Sequence, residues 1–178
     1  MPAIKVAESD GTLSFEFDDL VRFHGRRSVC GLTVGYKIMQ AAWEAVWQDV
    51  PPQRDLIKVE SAFPGPGTQD AFEMVTRAVS RRDYTVLQNI APGPQIAEAA
   101  KGTYFFRLSD DRYVVELGLE PSVVPSAFVP LRRKMARGLA SNDEATEFRA
   151  LQFSFSDRLR AIPAKEAVNI MSIAEHSG

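Results

Sequence analysis

The stretch from Phe23 to Tyr36 brings one of two histidines, His24, close to the sole cysteine, Cys30, at the mouth of a predicted helix. Imidazole and thiolate are the side chains that most readily bind a soft metal or serve as base and nucleophile near neutral pH. Unsatisfied N–H groups at a helix start favour the anion, and Arg26 and Arg27 add positive potential, so Cys30 is expected as a thiolate. His24 would then accept its proton in a Cys/His pair, or share with it a zinc or other transition-metal ion. These two are the candidate catalytic and metal-ligating residues. Against this stands the plainer reading that a lone cysteine is a small buried apolar side chain and a lone histidine caps a helix. Two donors also fall short of the roughly three or four that a zinc site needs.

Further donors must come from Asp70, Glu60, Glu73 or His176, and Asp70 is the best placed. It follows the loop Phe63-Pro64-Gly65-Pro66-Gly67 at a predicted helix start, where it or Thr68 supplies the N-cap and where an anion would be welcome. A capping carboxylate can also orient a neighbouring histidine. Asp70, Thr68 and Arg26 are therefore the candidate ligand-binding residues. His176 lies in a polar tail expected to be unstructured. Arg132, Arg133, Lys134 and Arg137 form a positive patch that suits phosphate or carboxylate, although Asp143, Glu144 and Glu147 nearby favour a solvated helix face.

The whole chain gives these groups an ordinary setting. Its 178 residues suit one domain with a real core, and 21 basic against 23 acidic residues exert no general pull on nucleic acid or anionic membrane. One cysteine forms no internal disulfide, no charged-then-apolar leader is visible, and no apolar run approaches a bilayer's span. The expectation is a cytoplasmic protein with no membrane or nucleic-acid partner. Neither a dinucleotide glycine fingerprint nor a P-loop occurs, so no nucleotide cofactor is expected.

Several elements must position the site. Thr12 to Phe17 alternates as a short extended lead-in after an aperiodic start. Asp18 and Asp19 open a helix towards His24, and Gly25 breaks it. Leu32, Tyr36, Met39, Trp43, Val46 and Trp47 recur at helical spacing from Gly31 to about Asp49, where Pro51-Pro52 ends the run. Gly31 and Gly35, one turn apart, leave a face on which another backbone can approach, and tight helix packing is the simplest cause. Trp43 and Trp47 share a face and belong to a core or an interface. Strands are expected over Leu56–Ser61, Tyr84–Asn89, Gly102–Leu108 and Arg112–Leu119, the last pair turning at Ser109-Asp110-Asp111. A helix is expected from Ala71 to Val79, another over Leu131–Leu139, and a third from about Asp143 to Ile162, capped by Ser141 or Asn142 and stopped by Pro163. The fold class is α+β, a small mostly antiparallel sheet packed with helices, in one domain over 1–178: a core at about 12–120 and a helical C-terminal extension at about 125–163.

Phe23-His24-Gly25, followed by Cys30-Gly31-Leu32, Gly35-Tyr36 and Lys37, resembles the signature of the FmdE-like family, named for a component of formylmethanofuran dehydrogenase: Phe-His-Gly-His-x-Cys-Pro-Gly-Leu-x-x-Gly-Tyr-Arg. Gln69-Asp70-Ala71-Phe72 is similar to its second block, an Asp-Ala pair opening a helix. The likeness covers roughly Asp18 to Leu119. Arg26 stands where the family has its second histidine, the stretch from Gly25 to Gly31 is one residue longer, Gly31 follows Cys30 where the family has proline, and the family's C-terminal zinc finger cannot form. The resemblance implies an α+β core, a homodimer, and His24, Cys30 and Asp70 around a pocket for a small molecule or metal, with a link to one-carbon metabolism. The alternative is a non-catalytic accessory protein with a degenerate site, presenting Trp43 and Trp47 to a partner.

Overall fold

The computed structural model describes residues 1–176 and has the expected α+β architecture. Strands β1 (Ile4–Glu8) and β2 (Gly11–Phe15) form an antiparallel hairpin. Helix α1 (Phe17–His24) follows, and Gly25 turns the chain at φ +83° into α2 (Val29–Ala42). Next come β3 (Lys58–Ser61), α3 (Pro66–Thr76), β4 (Tyr84–Val86), β5 (Phe105–Ser109) and β6 (Tyr113–Leu119). The chain ends in α4 (Phe128–Ala136), α5 (Asn142–Ala161), the single turn α6 (Ala164–Ala167) and β7 (Val168–Glu175). The main sheet runs β4-β3-β5-β6-β7, with only the β3–β4 pair parallel. No described helix is long and apolar enough to cross a membrane.

Helix α2 is the axis of the molecule. All fourteen of its residues are buried, as its lack of any charged residue but Lys37 permits. Helices α1, α3, α5 and α6 and strands β6 and β7 surround it. Most of its polar groups are matched, Gln40 Oε1 being the exception. The Thr33 hydroxyl lies 2.6 Å from that of Ser156 on α5, Tyr36 Oη donates to the carbonyls of Pro2 and Phe15, and Lys37 Nζ donates to Ile162 O at 2.6 Å. The C-terminal helices therefore complete the core instead of hanging from it.

The glycines of α2 meet α3 backbone to backbone. A Cβ on Gly35 would stand 2.7 Å from Ala71 Cβ, and one on Gly67 would stand 2.6 Å from Ser28 O. Arginines finish α3 at its other end: Arg54 donates to Met74 O and Val75 O, and Arg81 to Thr76 O, occupying carbonyls that the helix leaves without partners.

Four expectations are corrected. Residues 4–8, aperiodic in sequence, form β1, with Ile4 and Val6 buried. The long helix changes to a π-helical turn over Trp43–Trp47, where Trp43 Nε1 donates to Lys5 O and Trp47 Nε1 to the buried Asp110 carboxylate. Helix α3 begins at Pro66 behind an N-cap of Gly65, because proline is at home in a first turn, so neither Thr68 nor Asp70 is the cap. The tail containing His176 is ordered: β7 pairs along β6, and His176 N donates to Arg112 O at 2.8 Å.

Candidate functional site

The residues singled out in the sequence divide between two neighbouring places. In the first, the last residue of α1 meets the first part of α3: His24 Nδ1 lies 2.6 Å from Asp70 Oδ2. An ionised carboxylate only accepts, so Nδ1 carries the hydrogen of this bond. The imidazole is mostly covered and the carboxylate 40% exposed, so the pair fixes a tautomer and joins two helices at the surface. Asp70 can point there because Gly65 has taken over the cap.

The second place is a cavity of about 250 Å³ beside Cys30. Its walls come from the first turn of α2, the Phe63–Gly67 segment entering α3, Tyr104 next to β5, and the inward faces of α4 and α5. Apolar surface dominates, supplied by Phe63, Phe128 and Phe148, with Phe63 stacked at 4.5 Å between ring centroids on Tyr104. Gln152 Nε2 approaches Cys30 Sγ at 3.9 Å, a weak contact appropriate to sulfur.

Burial governs the thiol. It pushes Cys30 up to about 11, outweighing Gln152, the nearby backbone N–H groups and the Arg132 guanidinium, all of which pull the other way. The helix start does favour the anion, as the sequence suggests, but loss of hydration is the larger effect. Cys30 is a neutral thiol at pH 7, which corrects the expected thiolate, and no hydrogen bond joins it to His24 among the described residues.

Thr68 and Arg26 lie outside the cavity wall. Thr68 is fully buried and its hydroxyl donates to Gly31 O at 2.9 Å, binding α3 to α2, while Arg26 is exposed on the link between α1 and α2. Among the described residues no three of His, Cys, Asp and Glu converge as metal donors. Trp43 and Trp47 are core residues, 7% and 1% exposed and packed edge to face.

Sequence reasoning misses Tyr104, Lys101, Phe128, Phe148 and Gln152, and it assigns Arg132 to a solvated face. The neighbours of Arg132 do behave that way, since Arg133 pairs with Glu98 and Lys134 with Glu144. Arg132 is exposed as well, in keeping with a solvated helix face, and it also lines the cavity. The one signal available is periodicity: Phe148, Gln152 and Phe155 fall on one face of a helix, marking the side turned inward.

No protein-family model matches this sequence, and no curated protein matches it either.

Proposed function

We propose that the chain is a small-molecule-binding domain whose ligand occupies the cavity beside Cys30, in a fold of the FmdE-like type. The observation that carries the reading is the cavity, an aromatic-walled hollow of about 250 Å³ lined also by Gly65, Gly67 and the chain's only thiol. Concave, mainly apolar sites with a few convergent polar groups are where small ligands bind. The motif likeness supports the same place, since both of its blocks, Phe23–Lys37 and Gln69–Phe72, flank it. Binding takes precedence over catalysis in this reading because burial keeps the thiol protonated at neutral pH and no hydrogen bond joins it to the His24 imidazole among the described residues. The alternative of an accessory protein loses support because both tryptophans it would present are buried.

The test is an amide NMR titration of the full chain with 1-naphthamide, a neutral aromatic probe of suitable size. Shifts should concentrate at Cys30, Gly31, Gly67, Tyr104 and Gln152, and Ala136→Trp, which fills the cavity from α4, should abolish them. Shifts elsewhere, or none, would overturn the reading. The homodimer belongs to the same proposal. β7 is an edge strand that leaves Ile170 and Ile173 exposed, and such an edge favours pairing with a second copy. Light scattering that returns the mass of one chain would remove that part alone.

A further inference from the structure

Three observations around the cavity share a sign, and a fourth adds an unpaired donor. Among its lining residues are two cations, Lys101 and Arg132, and no acidic residue. Arg132 makes no salt bridge to any described residue, although the cations that follow it, Arg133 and Lys134, are both paired. The first turns of α2 and α3 both reach the wall, and neither carries an acidic residue or a capping side chain. No side chain offsets the partial positive charge of these two helix starts, although Pro66 has no N–H to offer and Gly31 N donates to Ser28 O.

The fourth observation is independent of charge. Tyr104 is 3% exposed, yet its hydroxyl donates to no described residue, whereas buried tyrosine hydroxyls are normally paired. It is not among the polar atoms sealed in the interior without a partner, which are Gln40 Oε1 and Tyr84 Oη. Tyr104 lines the cavity, and its phenol is close enough to the Cys30 thiol and the Arg132 guanidinium to sense both. A donor so placed is waiting for an acceptor inside the hollow. Gln152, which has only the thiol as partner, is a second.

We infer that the cavity is specific for an aromatic or otherwise flat apolar molecule bearing a carboxylate, with Arg132 engaging the anion, the Tyr104 hydroxyl donating to it, and the phenylalanines holding the body. The inference rests on the binding reading above and adds the ligand's charge to it. Carboxylate is favoured over phosphate because the hollow is small and mostly apolar, a setting that penalises burial of a second negative charge. Cys30 contributes shape as a neutral thiol and forms no bond to the ligand.

The experiment compares 1-naphthoate with the near-isosteric, uncharged 1-naphthamide by calorimetry on the full chain at pH 7. The wild type should prefer the carboxylate by about tenfold or more, the worth of one charge-assisted hydrogen bond. Arg132→Gln should abolish that preference, weakening the carboxylate about tenfold more than the amide. Tyr104→Phe should weaken the carboxylate more than the amide, with folding checked by the near-ultraviolet signal of Trp43 and Trp47. If the amide binds and the carboxylate binds no better, or if the preference survives in Arg132→Gln, the inference falls while the cavity reading stands. If neither probe binds, both fall.

Discussion

Gly35 and Ala71 touch across the α2–α3 crossing with no room for one more carbon: a Cβ on Gly35 would stand 2.7 Å from that of Ala71. Alanine at position 35 gains about 1 kcal/mol in helix propensity, but overpacking a fixed crossing costs about 1–3 kcal/mol. Gly35→Ala should therefore lower the urea midpoint at constant slope. Adding Ala71→Gly should recover part of the loss, so that the double variant is more stable than the two single changes sum to. Strict additivity would show that the helices can move apart.

Asp110 ties three elements. Its carboxylate accepts from Trp47 Nε1 at 2.8 Å, Tyr113 N at 2.8 Å and Arg112 N at 2.9 Å. Asp110→Ala strands these donors in a side-chain environment with no solvent access and should cost about 2–4 kcal/mol. Trp47→Phe removes only one donor and should cost less. Thermal melts of the two variants check the order, and a milder Asp110→Ala would mean that water replaces the carboxylate.

The thiol supplies a pH dependence whose sign is fixed. Cys30 titrates near 11 when folded and at ~8.5 in the unfolded chain, so above ~8.5 the folded state holds the extra proton. Its contribution to stability is complete below ~8.5 and is lost as pH rises from there towards about 11. The melting temperature of the wild type should fall across that window more steeply than that of Cys30→Ala. Alkylation by iodoacetamide should likewise show a midpoint well above that of a free cysteine, and a midpoint at or below ~8.5 would restore the activated-thiol reading.

Metal content should be indifferent to the thiol. Elemental analysis of purified wild type and Cys30→Ser should give the same zinc per chain, because Cys30 has no second and third donor beside it among the described residues. A stoichiometric metal that disappears with the sulfur would overturn this.

Local chemistry makes much of the fold readable. Ser141 and Glu144 form the reciprocal cap that opens α5, and Pro163 follows its end, so that helix can be bounded from side chains alone. The polar turn at Asp110 announces the β5–β6 hairpin, and Gly31 with Gly35 announces a close backbone approach. Elements set by distant partners are not readable. β1 and β7 are strands defined by what they pair with, and the π-helical turn exists where two indoles reach Lys5 O and Asp110. The same division holds at the site. His24 and Asp70 can be named from sequence and do meet, whereas Arg132 looks like the paired cations beside it. Only the packing of α4 against α5 separates it from them.

The complete enclosure of α2 has a consequence for biosynthesis. A helix buried on every side has no stable resting place while the segments that wrap it are unmade, and the last of that wrapping, α6 and β7, is encoded more than a hundred residues downstream. During translation the nascent chain must therefore carry this greasy rod uncovered until residues past Val168 leave the ribosome, a long interval in which a chaperone would find its natural target.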